Sequence, residues 1–296
     1  MYTITIDRSR CKKDGICNRV CPTEIFVQRE KLTFPELVDE EGCIACGQCV
    51  AICPQGAICH SEFPSTAIRA IQFEKMPTTE QVMALLKTRR SIRAFRDKPL
   101  AKETIERIID GARFAPSGHN SQSTEFLVVQ NKDVLKQVSA TVIEYLKFEI
   151  RRFGNPLFRT FALLADRELA ESGLHEISGF KQMIRLFESG EDPILNYAPT
   201  LLAFHAPRTV GFADLNAQLA LQNASLVAHS LSIGHFYAGW VLSPCRAPRA
   251  QAWNRRIPSL LGFPHGNVLY GALALGYPIP RFKNMIERKP PHIRWA

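Results

Sequence analysis

Cysteine spacing constrains this chain more than any other feature: Cys43, Cys46, Cys49 and Cys53, the last followed by Pro54, form CxxCxxCxxxCP. An earlier copy keeps the register with Cys11, Cys17 and Cys21 before Pro22, and places Asp14 where the second thiol belongs. The flanks repeat as well, CNRVCPTEIF against CVAICPQGAI. Thiolates at this spacing hold iron-sulfur clusters. Two other readings stay open from the residues alone: CxxC pairs binding zinc, and disulfides in an extracellular chain. Zinc requires neither the third cysteine nor the Cys-Pro ending of each copy. The N-terminal MYTITIDRSRC has no apolar core of a secretory leader, so the expected location is cytoplasmic. Cys59 and Cys245 lie outside the pattern and read as buried structural residues.

The doubled motif resembles bacterial two-cluster ferredoxins, in which the cysteine before proline ligates the other cluster. The ligand sets then cross over. One 4Fe-4S cluster takes Cys43, Cys46 and Cys49 with Cys21. The other takes Cys11 and Cys17 with Cys53, and Asp14 is the candidate fourth ligand. A carboxylate oxygen is harder than a thiolate and holds that iron less tightly, so the second cluster is expected as 4Fe-4S or 3Fe-4S.

Charge is unevenly placed along the chain. Residues 1–74 carry 8 Lys and Arg against 10 Asp and Glu, net −2, and the remainder carries 29 against 18, net +11. The basic remainder lacks interleaved aromatic and basic motifs or zinc-finger spacing, so nucleic acid is not an expected partner. Phosphate-bearing cofactors and an acidic redox partner account for it as well as a merely soluble surface does. No apolar stretch approaches the length of a bilayer-crossing helix, and no membrane role is expected.

Two domains are expected, 1–74 and 75–296, because the cysteine-rich segment stops near Phe73 to Pro77 and helical periodicity starts there. Thr78 with Gln81 forms a candidate capping box. Ile105, Ile108, Ile109 and Ala112 mark a second helix that stops ahead of Pro116. A strand follows at Glu125 to Gln130. LNAQLALQNASLVAHSLSIG reads as a long buried helix closed by Gly234, HFYAGWV as a strand, and NVLYGALALGYP as a central strand covered on both faces. Alternation alone suggests α/β. Residues 151–193 are mixed and charged, a helical cap or a peripheral insertion.

Arg89, Arg90, Ser91, Ile92 and Arg93 pack three guanidinium groups and a hydroxyl into five residues, a composition suited to a phosphate. About 25 residues later comes Ala115, Pro116, Ser117, Gly118, His119, Asn120, Ser121, Gln122, and near the end Arg288, Lys289, Pro290. With ALALGYP before that ending, residues 78–296 resemble the nitroreductase family of FMN enzymes, which carry RRSxRxF, APSxxNxQ and a closing R-K-P. The resemblance implies an α+β fold with a central, mostly antiparallel sheet flanked by helices, beside the small ferredoxin-like domain. It implies FMN at a homodimer interface, with Arg89, Arg90, Ser91, Arg93 and Arg288 on the phosphate. Pro116, Ser117 and Asn120 match the ribityl and isoalloxazine contacts, and Gly239 with Trp240 falls near flavin N5. The family loop often continues as QPW, whereas Gln122 is followed here by Ser123, Thr124 and Glu125. His119 is a candidate proton donor or a packing residue.

Clusters pass single electrons, and a flavin accepts them singly and delivers a hydride equivalent. The expected activity is therefore transfer from an external donor such as reduced ferredoxin, through clusters and FMN, to a nitroaromatic, quinone or activated alkene. Three alternatives stand beside it: reverse flow from NAD(P)H, a redox sensor or carrier without a turnover substrate, and clusters as structural staples. No catalytic side chain is singled out, and no GxGxxG follows a strand.

Overall fold

The computed structural model describes residues 2–165, 167–246 and 251–296. Two compact units emerge: Met1–Pro77 together with Ser117–Ser121, and Thr78–Pro116 together with Gln122–Ala296.

In the first unit the sequence repeat is also a backbone repeat. Helix α1 (Ile16–Val20) and α2 (Gln48–Ile52) are each one short turn, entered through a glycine and left through a cysteine. Gly15 (φ 66°) and Gly47 (φ 73°) both take the left-handed conformation that a Cβ disfavours. Lys13 and Ala45 also have positive φ, at 62° and 47°, so each ligand loop turns the same way. Strand β1 (Ile4–Ile6) pairs antiparallel with β4 (Ile58–His60), and β2 (Phe26–Val27) with β3 (Glu36–Leu37). Ile4, Ile25, Phe26 and Ile58 fill a small apolar core against Cys17 and Cys49. Cys59, expected to be buried, is exposed, because alternation along β4 turns Ile58 and His60 inward and Cys59 out.

The second unit opens with α3 (Thr79–Thr88), whose capping box is complete: Gln81 N–H donates to Thr78 Oγ1, and Thr78 N–H donates to Gln81 Oε1. Helix α4 (Lys102–Arg113) buries Ile105, Ile108 and Ala112 on one face. Strand β5 (Glu125–Val129) leads into α5 (Lys132–Gly154), α6 (Pro156–Ala165) and α7 (Arg167–Glu188). The stretch 151–193 is therefore mostly helical, and Phe180 of α7 anchors it in the core, edge-on to Trp240. Then come β6 (Thr200–Pro207), α8 (Ala213–Ser230), β7 (Gly234–Tyr237), α9 (Gly239–Leu242), α10 (Gln251–Asn254), α11 (Arg256–Leu260) and β8 (Asn267–Gly276).

One sheet of order β5-β6-β8-β7, antiparallel throughout, organises this unit. The fold class is α+β, not the α/β that alternation alone suggested. Leu201 and Ala203 of β6 face the α5 side with Val138, Val142 and Leu146, whereas Leu202 and Phe204 face α4 and α8 with Ile108, Ala220 and Ala224. Both central strands are buried on both faces, which is why they read as continuous apolar runs. Helix α8 ends at Ser230, and Ser232, just past the cap residue Leu231, takes the left-handed φ of 58°. Gly234 instead starts β7, where a Cβ would come within 3.0 Å of both Ile92 Cγ2 and Pro278 Cβ. The expected strand HFYAGWV is split for the same region, its second half winding into α9.

His235 sits in this core with its Nδ1–H donating to Ile233 O at 3.1 Å and Nε2 accepting from Ser225 Oγ at 2.9 Å. Burial lowers its pKa from 6.5 to about 4. The folded state thus favours the neutral ring. The associated stability is full above the unfolded value of 6.5 and is lost as pH falls toward about 4. Urea midpoints are expected to drop between about pH 7.5 and about pH 5, and His235→Gln is expected to flatten that drop. Equal slopes in the two proteins would refute the assignment.

Candidate functional site

The first unit brings several of its thiols near one another. Burial pushes the Cys49 thiol up to about 11, and Cys46, Cys21 and Cys43 add to the rise through their proximity. Cys21, from the first copy, therefore lies among the three thiols of the second. Burial likewise raises Cys17, with Cys11 and Asp14 contributing. Buried thiolates are costly without cations beside them, so this donor set suits bound iron. Among the described residues, no three His, Cys, Asp or Glu side chains converge on a single-ion site.

The sulfurs also receive backbone donors. Cys11 Sγ accepts from Lys13 N–H at 3.4 Å, Cys43 Sγ from Ala45 N–H at 3.3 Å, and Cys53 Sγ from Ala57 N–H at 3.3 Å. These amides are turned inward by the positive φ of Lys13 and Ala45. Asp14 departs from its counterpart Cys46: its Oδ1 accepts from Ile16 N–H at 3.1 Å and so starts α1. One residue that spacing did not single out stands here. His60 is buried with Nε2 3.4 Å from Cys43 Sγ, and burial lowers its pKa below 6.5. Only the pairing of β4 with β1 brings it there, so no motif announces it.

The segment Ser117–Ser121 belongs to this first unit. Asn120, expected on a flavin, donates through Nδ2 to Ala45 O at 2.6 Å. His119 and Asn120 both have positive φ, 52° and 51°, so the loop is tightly wound.

In the second unit, Arg89, Arg90 and Ser91 line a cavity of about 490 Å³ with Arg288. Residues 199 apart in sequence, Arg89 and Arg288, thus meet at one cation-lined cavity. Lys283 adds another cation that the sequence reading missed, although its place five residues before Arg288 in a basic tail is a usable signal. Backbone bonds fix the arginine segment: Ile92 N–H donates to His235 O at 2.9 Å and Arg96 N–H to Tyr277 O at 2.9 Å. The cavity fits the phosphate end of a cofactor. Arg93 and Gly239 line a different, larger cleft of about 820 Å³ with Asp192, Tyr197, Tyr237 and Trp240. The expected phosphate set is thereby divided. Arg93 places its guanidinium 5.3 Å from the Phe236 ring centroid. Pro116 lies in the second unit but borders neither cleft among the described residues.

Comparison with known proteins places both units. Residues 86–277 match the nitroreductase family, and residues 3–54 match a 4Fe-4S dicluster domain. A relative from Archaeoglobus fulgidus named putative NADH dehydrogenase/NAD(P)H nitroreductase is 27% identical over 67% of this chain and 86% of its own. A Hydrogenibacillus schlegelii protein named ferredoxin 7Fe is 39% identical over 17% of this chain and 62% of its own. Among solved structures, an FMN-dependent nitroreductase from Clostridium difficile R20291 aligns with TM-score 0.53 at 20% identity, covering 73% of this chain and all of that one (100%).

Proposed function

This chain belongs to the nitroreductase family, and from that premise we propose that it carries electrons from an external donor such as reduced ferredoxin, through its cysteine-held clusters and FMN, to a small electrophilic organic molecule. It is an FMN-dependent oxidoreductase with an iron-sulfur domain. Clusters handle electrons singly and a flavin delivers them as a hydride equivalent, so one chain holding both converts one currency into the other. The observation that carries the reading is the pairing, on one polypeptide, of crossed thiol sets with the arginine-lined cavity.

The chain's own residues then have limited duties. Arg89, Arg90, Ser91 and Arg288 bind the phosphate, and Cys43, Cys46, Cys49 and Cys21 hold one 4Fe-4S cluster. Cys11, Cys17 and Cys53 hold the second with Asp14. The seven irons in the name of the Hydrogenibacillus schlegelii relative support a 3Fe-4S form at the Asp14 corner. The larger cleft, with Tyr237, Trp240 and Arg93, is the place for the organic acceptor, a nitroaromatic, quinone or activated alkene. Leu215 and Leu219 of α8 and Phe282, Ile286, Ile293 and Trp295 of the C-terminal segment are exposed apolar side chains. A second copy of the chain is their proposed cover.

Anaerobic protein assayed for iron, sulfide and flavin, then mixed with donors while clusters and flavin are followed separately, tests the reading. Reduced ferredoxin is expected to fill the clusters and then the flavin, with NADH far slower. Flavin filling first, from NADH, would overturn the direction in favour of reverse flow.

A further inference from the structure

The two halves of the first unit differ beyond the exchange of Cys46 for Asp14, and His60 marks the second difference. His60 accepts at Nδ1 from Glu62 N–H at 3.1 Å. In the neutral ring the remaining proton is then on Nε2, which lies 3.4 Å from Cys43 Sγ. The ring has little freedom to turn away. Tyr2 packs 5.3 Å and Phe63 4.8 Å from it, centroid to centroid, and the residue is only 6% exposed.

Thirty-two residues separate Cys11 from Cys43, and the same offset carries His60 onto Gln28. Gln28 does something else. Its Nε2 donates to Lys13 O at 3.0 Å and to Thr33 O at 2.8 Å, bracing the ligand loop through its backbone. The first half thus spends its side-chain donor on carbonyls, and the second half turns one toward sulfur.

We propose that His60 is a positioning residue that donates Nε2–H to the Cys43 thiolate and raises the reduction potential of the cluster held there. The physical reason is charge. Reduction adds an electron whose density spreads onto the ligand sulfurs, and a fixed N–H dipole stabilises that more negative state more than the oxidised one. The Ala45 amide already donates to the same sulfur, so Cys43 receives two donors. The inference rests on the cluster assignment and is independent of the direction of flow.

The test is an EPR-monitored redox titration of intact anaerobic protein beside His60→Phe, which keeps a ring between Tyr2 and Phe63 and removes the donor. Reduction of one cluster is expected to become about tenfold less favourable, a downward shift of about 59 mV for one electron, while the other cluster stays put. His60→Gln, which retains an N–H donor, is expected to recover part of the shift. Iron and sulfide analysis separates the two possible failures: loss of both would mean that no cluster is held, whereas full content with unmoved potentials would overturn the role of His60. Should His60→Phe not fold, pulsed EPR of reduced wild-type protein labelled with ¹⁵N-histidine decides. An imidazole coupling to the cluster supports the bond, and its absence refutes it.

Discussion

Cys46→Ser is expected to release one cluster, lowering bound iron by about half, and to slow donor-driven flavin reduction by at least ~100-fold. The reasoning is local. Cys46 is one of the thiols clustered around Cys49, and a serine oxygen replaces a soft sulfur where iron prefers thiolate. The second unit has its own sheet and its own apolar cores. FMN content and reduction by a small chemical reductant are therefore expected to persist in the variant. Stopped-flow traces with reduced ferredoxin measure the first effect, and flavin absorbance measures the control. Undiminished ferredoxin-driven reduction would make the clusters staples rather than carriers.

Arg288→Ala is expected to weaken FMN binding by about 10- to 100-fold, because a hydrogen bond to a charged group contributes roughly 1.5–3 kcal/mol. Arg288 lines the same cavity as Arg89, Arg90 and Ser91, yet it lies in an exposed C-terminal segment without regular structure. That placement makes it the cleanest probe of the four. Loss of the arginine is expected to leave the unfolding transition of the apoprotein unchanged, and fluorescence quenching of FMN reports the affinity. The loss is expected to grow smaller as salt rises, since part of the attraction is screened. Unchanged affinity would remove the cavity from the cofactor site.

Much of the molecule was legible because its determinants are short-range. Ligand spacing, the Thr78 capping box and the apolar face of α4 are each written within a few residues, and the structure carries the capping box and the α4 face through. β8 was legible too, since burial on both faces leaves an unbroken apolar run; β6 carries the same signal in TLLAFHAP but was not singled out. Parallel or antiparallel pairing was not, because the direction of a strand depends on what its connection does in space. The end of α8 misled for a related reason. Gly234 resembles a helix stop, but its missing side chain serves a close approach to Ile92 and Pro278, which only the folded sheet creates. His60 and Lys283 escaped because their significance comes from strand pairing and from a distant tail. The Asn120 side chain donates to the Ala45 carbonyl, a contact that no motif announced.

The hydrogen bond from Ile92 to His235 reaches further than local anchoring. β7 is the last strand of its sheet, and unpaired strands invite other chains to add themselves. By lying along that margin, the arginine segment shields it from self-association. A substitution that frees this stretch is therefore expected to bare the β7 edge and raise the tendency to aggregate, whatever it does to cofactor affinity.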